Sequence, residues 1–161
     1  MRDTRHIHGN ELGFRDAYRK NAFDLHVAHG CTPESFVPPA DEWYLDQRLR
    51  ILAWIPDGTI QGFVIYAATA FFYPDTDGEV LDIWVASTYR RRGIGRQLAA
   101  EALGELSGRI GLQVHAENSV ALAFWESLAL TEGMSLEKEA CMAGGDAVWK
   151  LILGEKRERV A

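Results

Sequence analysis

Apolar and polar positions in the first part of the chain follow the period of a helix rather than that of a strand. From Asn10 to Gly30, apolar side chains fall near one helical face. Asn10 can cap the first turn, and Gly30 can adopt the left-handed conformation that ends a helix. The proline-rich stretch 31–40 predicts a connection, and 41–49 predicts a second, short helix.

The next part of the chain has the features of an antiparallel hairpin. Two apolar, β-favouring runs at 50–56 and 60–72 are separated by Asp57-Gly58-Thr59, a turn sequence typical of hairpins. After another turn at 74–78, the segment 79–85 predicts a further strand.

The C-terminal part alternates between strands and helices. Apolar residues recur at helical intervals over 93–106 and again over 119–128, while 110–116 and 147–153 predict strands. A strand, a helix and a strand in succession predict a parallel unit. The whole order predicts a layered α/β (α+β) fold in a single domain, 1–161.

Composition narrows the classes of function. The 161 residues carry a net charge of −6 at pH 7, which disfavours general nucleic-acid binding and suits a cationic partner better. No apolar run approaches membrane-spanning length, so we expect no membrane association. Cys31 and Cys141 lie far apart without a CxxC neighbour, which predicts reduced thiols and a cytoplasmic location.

Glycine and arginine cluster where the predicted strand 79–85 leads into the next helix. Gly93 and Gly95 lack a Cβ atom, so they allow a sharp bend and the close approach of a ligand. The first turn of a helix leaves several N–H groups without intrahelical partners and carries about half a positive charge. Fixed positive charge is added by Arg90, Arg91, Arg92 and Arg96. The segment therefore predicts an anion site that suits a pyrophosphate.

Other motifs for phosphate ligands are missing from the sequence. There is no GxxxxGK[ST], which disfavours a nucleotide triphosphatase, and no GxGxxG after the first strand, which disfavours a Rossmann dinucleotide site. Short glycine and arginine motifs also recur by chance, so a plain helix start with solvated arginines is the simpler alternative.

Two motifs in succession resemble the GNAT superfamily of acetyl-CoA-dependent N-acetyltransferases. The coenzyme A loop of that family is [QR]xxGx[GA], and RRRGIG at 90–95 matches every fixed position. Downstream, NSVALAFWE at 118–126 resembles the second signature, commonly NxxAxxFYxxxGF. The resemblance covers about residues 59–153. It implies a mixed, mostly antiparallel central sheet that is splayed between two parallel strands, with helices on both faces.

The resemblance also implies acetyl-CoA or coenzyme A as co-substrate, and no metal ion. Pantetheine would lie in the splay and pair with strand backbone, and the amide of Ile83 would donate to the thioester oxygen as it gains charge. Asn118 would contact pantetheine, although it is equally placed to cap the helix that follows. The implied cofactor-binding residues are Ile83, Trp84, Val85, Arg90, Arg91, Arg92, Gly93, Ile94, Gly95, Arg96, Asn118 and Trp125.

Such chemistry needs a base, because an amine with a pKa near 10 is only about one part in a thousand neutral at pH 7. Glu79 is the first candidate, since its offset from Arg90 matches that of the base glutamate in histone-acetylating members of the family. A solvent-exposed acid at a strand end is the alternative for Glu79. Asp82, which interrupts an apolar strand but could pair with an arginine, and His115, near the end of the adjacent strand, are the other catalytic candidates.

Position 125 departs from the family pattern. Many members have a tyrosine there that is thought to protonate the departing thiolate, whereas this chain has Trp125, whose indole N–H is not a practical acid. The thiolate could leave unassisted, or a hydroxyl of Tyr66, Tyr73 or Tyr89 could serve instead. Core packing is the simpler role for Trp125.

The implied function is transfer of an acetyl group from acetyl-CoA to a primary amine, of a small molecule or a peptide, by direct attack in a ternary complex. The alternative is a coenzyme A-binding sensor or interaction module with little catalysis. His26 and His29 lie three apart without an evident third ligand, so we expect no metal site, and His6 falls in a predicted flexible terminus. The charged tail 154–161 is expected to be solvated. The oligomeric state stays open, with a homodimer among the alternatives.

Overall fold

A computed structural model describes residues 3–156 of the chain, without the side chain of Lys156. The strands of this described part are β1 Thr4–Ile7, β2 Leu49–Trp54, β3 Gly62–Ala67, β4 Gly78–Val85, β5 Ile110–His115, β6 Met134–Ala143 and β7 Asp146–Lys156. The α-helices are α1 Phe14–Ala28, α2 Ile94–Gly104 and α3 Ser119–Glu132. Across residues 3–156, the strands form one seven-stranded sheet in the order β1-β2-β3-β4-β5-β7-β6.

The sheet is open in its middle, between β4 and β5. These strands are parallel and pair only where Gly78 meets Ile110 and Glu79 meets Gly111. Because β4 runs on to Val85, the two strands separate over the rest of their length. The crossover that a parallel pair needs is provided by α2. The other strand pairs are antiparallel, which confirms the splayed, mostly antiparallel sheet.

Side chains alternate between the two faces of the sheet and form a core on each. Fully burying one large apolar side chain contributes roughly 1.5–3 kcal/mol, so both faces are strongly held. The core between the sheet and helices α2 and α3 includes Val64, Tyr66, Val80, Leu98 and Leu128. The core under α1 includes Phe14, Ile51, Phe63, Ile65 and Trp84.

A β-bulge interrupts β4 beside the opening. Two consecutive residues of β3 are paired with Asp82 and Val80, so Leu81 is the extra residue. Val80 and Ile83 both pack into the α2/α3 core, whereas Leu81 packs into the α1 core. The bulge therefore places Leu81 and Asp82 together on the α1 face, where strict alternation would have separated them.

Several predicted elements differ in extent from those observed. α1 begins after Gly13, which has no side-chain cap, so the expectation that Asn10 caps this helix is wrong. Gly30 has a φ of 84°, as its predicted role as the helix stop requires. The helix expected at 41–49 is only a 3₁₀ turn, Trp43–Leu45. The apolar run 60–72 is a strand only as far as Ala67, because the chain turns away there to form a loop.

Both ends of the chain contain structure that the sequence pattern did not reveal. His6 lies in β1, and its Nε2 is 3.1 Å from the hydroxyl of Tyr66 and 3.1 Å from a carboxylate oxygen of Glu105. The prediction of a flexible terminus at His6 is therefore wrong. Of the charged tail 154–161, residues 154–156 belong to β7, and residues 157–161 lie outside the described part. Over residues 3–156, the helices are too short or too polar to cross a membrane.

Candidate active site

The loop between β4 and α2 ends in a row of outward-facing backbone amides. Gly93 is the N-cap of α2 with a φ of 77°, and no side chain caps the helix. The amide of Gln97 donates to the carbonyl of Gly93 at 3.1 Å, so the amides of residues 94–96 precede the first intrahelical bond. A Cβ atom added at Gly93 would meet nothing within 4 Å, which shows open space beside the helix start. Free amides and open space are the two features that an anion site at a helix start needs.

Arg90 fastens this loop to the rest of the protein. Its Nε donates to the carbonyl of Val85 at 2.9 Å, and its Nη2 lies 2.5 Å from Oδ2 of Asp24 on α1. The indole of Trp84 donates to the same Asp24 oxygen at 2.9 Å. The guanidinium of Arg90, expected beside a phosphate, is therefore held by protein groups.

The remaining arginines divide in the same way. Arg96 donates to the hydroxyls of Thr131 and Ser127 on α3, at 3.0 and 2.8 Å, and so ties α2 to α3. Arg91 and Arg92 are exposed. Arg91 has a φ of 63°, a left-handed conformation that is uncommon for a residue with a side chain and often marks a functional loop. The guanidinium groups of Arg91 and Arg92 are therefore accessible to an anion.

A groove of about 380 Å³ occupies the gap between β4 and β5. Its lining comes from α1 and the β6–β7 turn on one face, from α3 on the other, and from β4 and β5 between them. The groove therefore passes through the sheet. Its chemically relevant lining residues are Leu25, His29, Asp82, Ile83, His115, Asn118, Trp125 and Asp146.

Asp82 brings a carboxylate into this groove. Burial raises the pKa of Asp82 from 3.8 to about 6, against the smaller lowering effects of the Asn21 amide and the Ile83 backbone N–H. Oδ1 of Asp82 accepts the N–H of Ile83 at 3.0 Å. A carboxyl group with a pKa of about 6 is largely ionised at neutral pH, yet it is a stronger base than an ordinary aspartate.

The backbone of β4 beside Asp82 is partly engaged. The Ile83 amide, expected to be free for a thioester oxygen, donates to Asp82 in this structure. The Val85 carbonyl accepts from Arg90. The Trp84 side chain points to the α1 face and packs 5.7 Å from Phe63, centroid to centroid. Trp84 can therefore offer a ligand on the opposite face only its backbone.

His115 forms one wall of the groove together with a residue from α1. Its ring stacks on that of His29 with centroids 3.9 Å apart. Burial, followed by the nearby charge of His115, lowers the pKa of His29. Nδ1 of His115 accepts the N–H of Glu117 at 3.2 Å, so in the neutral ring the hydrogen is on Nε2.

Glu79 is neither exposed nor part of the groove lining that the described residues form. Its side chain is 1% exposed. Its carboxylate accepts the amides of Phe71, Phe72 (2.8 Å) and Tyr73 (3.2 Å). The Thr76 hydroxyl lies 3.5 Å away and donates its hydrogen to the Tyr73 carbonyl at 2.7 Å. Both sequence interpretations of Glu79, as the base and as a solvated acid, thus disagree with its surroundings, because the carboxylate holds the β3–β4 loop.

Comparison with known proteins agrees with this geometry. Residues 14–129, which are 116 of 161, match the model of the Acetyltransferase (GNAT) family. The chain belongs to the GNAT acetyltransferase family. No curated protein shows a significant sequence match to it.

Solved structures share the fold of this GNAT acetyltransferase across nearly its whole length. An acetyltransferase from Thermus thermophilus has a TM-score of 0.66 and 15% identity, covering 94% of this chain and 96% of its own. The smu.2055 protein from Streptococcus mutans UA159 has a TM-score of 0.63 and 21% identity, covering 95% and 98%. Diaminobutyrate acetyltransferase EctA from Paenibacillus lautus, in complex with L-2,4-diaminobutyric acid and coenzyme A, has a TM-score of 0.62 and 17% identity, covering 98% and 97%.

The second motif of this GNAT protein lies on the α3 side of the groove. Asn118 lines the groove and also caps α3, since its Oδ1 accepts the amide of Ala121 at 3.1 Å. Trp125 is 4% exposed, packs edge-on against Phe124 at 5.1 Å between centroids, and lines the groove. Both residues thus have a structural role and also line the groove.

The three tyrosines suggested as proton donors occupy different surroundings. Tyr66 donates to Glu105, which follows α2, and burial raises the pKa of Tyr66, so it is a poor acid. Tyr89 packs against Trp54 with centroids 4.9 Å apart. The hydroxyl of Tyr73 donates at 2.8 Å to Gln113, which lines the groove. Tyr73 is therefore the tyrosine that contacts the groove wall.

The groove residues at the end of α1 and around the β6–β7 turn were not predicted from the sequence. Asn21 is a buried polar residue on the apolar face that contains Phe14 and Tyr18, and that pattern could have drawn attention to it. Asp146, the first residue of β7 after the β6–β7 turn, gave no signal. Across the described range, no three His, Cys, Asp or Glu side chains come together to hold a metal ion.

Proposed function

We propose that this acetyltransferase transfers an acetyl group from acetyl-CoA to a primary amine while both substrates are bound. The observation that carries the proposal is the groove through the sheet, which is lined by residues from both faces. Two substrates that enter from opposite faces would meet beside Asp82 and need no covalent enzyme intermediate.

The α3 face and the start of α2 suit the donor. The amides of residues 94–96 and the exposed Arg91 and Arg92 would hold the pyrophosphate of coenzyme A. The edge of β4 beyond Glu79 is not paired with β5, so an extended pantetheine could add to it as a strand would. Asn118 and Trp125 line this side of the groove. The residues present therefore fit the donor.

The α1 face suits a cationic acceptor. Asp82 and Asp146 line the groove there, alongside His29 and His115. Acidic groups raise the local concentration of an ammonium ion. EctA shares this fold, and its structure contains a diamino acid and coenzyme A. This similarity supports a small amine as an acceptor of the present protein. We propose a small-molecule or peptide amine, and neither a nucleic acid nor a membrane as partner.

Asp82 would act as the base in this reaction. Its carboxylate removes a proton from the ammonium group, and the freed amine forms a C–N bond to the acyl carbon. The C–S bond then breaks to release the coenzyme A thiolate, and the second proton of the attacking nitrogen passes to solvent. Backbone N–H groups of β4 at Ile83 would stabilise the acyl oxygen as it gains charge. The thiolate can leave without an acid, because a thiol pKa of about 8.5 makes it a fair leaving group.

Thiol release from acetyl-CoA, measured with a panel of diamines, amino acids, aminoglycosides and peptides, tests the proposal. We expect turnover with at least one cationic amine and coenzyme A binding by calorimetry. Asp82→Asn should lower kcat roughly 10²–10⁴-fold at unchanged coenzyme A affinity. Asp16→Asn, which changes an exposed acid in the first turn of α1, is the matched control and should leave kcat unchanged.

Two results would count against the proposal. Absence of coenzyme A binding would remove the donor site. Tight binding without transfer to any amine would favour a coenzyme A sensor instead. Cys31 and Cys141 are both free thiols, which supports the further proposal of a cytoplasmic location.

A further inference from the structure

Asn21 is a buried polar residue without an evident structural reason. It is 2% exposed and sits on the buried face of α1 with Phe14, Ala17 and Tyr18. Within the described part of the chain, its Nδ2 is a buried side-chain atom that has no hydrogen-bond partner. An unpaired buried donor costs about 1–3 kcal/mol, so such an atom is rarely kept without a use.

The neighbour that could use this donor is Asp82. The bulge in β4 turns Asp82 to the α1 face, and the Asn21 amide lies close enough to lower the pKa of the carboxyl. The carboxylate meanwhile accepts the Ile83 amide at 3.0 Å. Asp82 thus accepts one hydrogen bond, from the Ile83 amide. A second donor, Nδ2 of Asn21, lies beside it without a hydrogen-bond partner.

We infer that Asn21 is a positioning residue, whose Nδ2 donates to the Asp82 carboxylate in the ternary complex and thereby releases the Ile83 amide for the acyl oxygen. The inference rests on the proposed function, in which Asp82 is the base. It explains two observations together. Nδ2 of Asn21 is buried without a partner, and the Ile83 amide, a candidate to bind the acyl oxygen, donates to the neighbouring Asp82.

An asparagine suits this role better than a charged donor would. A neutral amide holds the carboxylate without the strong lowering of its pKa that an ion pair causes, so the basicity that proton removal needs is kept. The other titratable groups that face Asp82 or share its groove are Tyr18 and His29 on α1, His115 on β5 and Asp146 on β7. Burial raises the pKa of Tyr18 to about 12, and its hydroxyl accepts the indole N–H of Trp43. Tyr18 is therefore already engaged and stays protonated.

Two substitutions separate this role from simple packing. Asn21→Leu removes the donor and keeps a similar volume, and Asn21→Asp removes the donor and adds a like charge. The Asp82 carboxyl would be titrated by carbon-13 NMR of aspartate-labelled protein, with Asp82→Asn assigning the signal. The pH dependence of kcat/KM would be measured on the same samples. Phe14→Leu, on the same buried face of α1, is the control for packing alone.

We expect Asn21→Leu to raise the pH midpoint of Asp82 by roughly one unit and Asn21→Asp to raise it further. The acid limb of kcat/KM should move by the same amount, and kcat should fall about tenfold at unchanged acetyl-CoA KM. Asn21→Leu should keep the melting temperature or raise it, because it removes an unpaired amide. Phe14→Leu should lower the melting temperature and leave the pH profile in place.

An Asp82 signal that titrates identically in wild type, Asn21→Leu and Asn21→Asp would overturn the inference. A kcat loss that Phe14→Leu reproduces would overturn it as well, since packing would then be the cause. A shifted Asp82 signal with an unmoved acid limb would support the contact with Asn21 and refute Asp82 as the base. The failure of the proposed function is therefore distinguishable from the failure of this inference.

Discussion

Replacing Glu79 by glutamine distinguishes a structural carboxylate from a catalytic one. The substitution keeps the shape of the side chain and removes its negative charge. Oε2 of Glu79 accepts the amides of Phe71, Phe72 and Tyr73, whereas Oε1 accepts only a second, 3.1 Å contact from Phe72. A glutamine can place its oxygen at the position of Oε2, so the hydrogen bonds are weakened rather than lost.

The expected cost follows from the number of donors. A hydrogen bond to a charged group contributes roughly 1.5–3 kcal/mol, against roughly 0.5–1.5 kcal/mol for a neutral one. Three amides that each lose about 1 kcal/mol give at most about 3 kcal/mol, and shared donors reduce this to about 2–3 kcal/mol. For a chain of this size, 1 kcal/mol corresponds to roughly 2–4 °C, so we expect the melting temperature to fall by about 4–12 °C.

Thermal unfolding by circular dichroism and steady-state kinetics well below the transition are the paired assays. Glu79→Gln should lower the melting temperature by the stated amount and keep kcat within about twofold of wild type. Glu139→Gln, which changes an exposed acid on β6, is the control and should leave both unchanged. An unaltered melting temperature together with a kcat loss of a hundredfold or more would refute the structural role and restore Glu79 as the base.

Three further predictions test other parts of the site. Because burial raises the pKa of Asp82 from 3.8 to about 6, its charge costs stability above pH 6, and this cost is relieved as pH falls from about 6 towards 3.8. Asp82→Asn should therefore raise the melting temperature at pH 7, and kcat/KM of the wild type should decline below pH 6. Thermal unfolding and steady-state kinetics across pH 5–8 would check both. Gly93→Ala should lower the free energy of unfolding by about 1–2 kcal/mol, because Gly93 has a φ of 77°, and should weaken coenzyme A binding in calorimetry. Gly104→Ala is the control, since its Cβ would also meet open space, and should leave the affinity unchanged. Tyr66→Phe should lower stability by about 1 kcal/mol in denaturant unfolding and leave kcat unchanged, because its hydroxyl is directed to Glu105; a large kcat loss would restore Tyr66 as the acid.

The conformation of the loop before α2 was predictable from sequence because it is set locally. Gly93 sits at the predicted junction of strand and helix, and its positive φ and the free amides after it depend on a few consecutive residues. Asn118 is similar, since its cap on α3 involves only the next turn. The partner of Arg90 could not be predicted, because Asp24 is 66 positions away and meets it only through the packing of α1 on the sheet.

Strands at the edges of the sheet escaped prediction for a different reason. β1 is four residues long, and β6 buries none of its side chains and exposes half of them, including Glu137, Lys138 and Glu139. An edge strand with few buried positions has little hydrophobic alternation to detect. As a result, the β6–β7 turn and the neighbouring Asp146, which lines the groove, gave no signal.

The assignment of the two β4 carboxylates depends on a single extra residue. Without the bulge at Leu81, Asp82 would face the α2/α3 core, because side chains alternate along a strand. The bulge instead turns it into the groove, where one close donor leaves it only partly satisfied and burial raises its pKa. Glu79, ahead of the bulge, accepts three backbone amides. Three N–H groups thus hold the Glu79 carboxylate to its loop outside the groove lining, whereas the Asp82 carboxylate has one close N–H donor and lines the groove. The number of donors around each carboxylate, rather than its offset from the glycine loop, therefore indicates which one can act as the base.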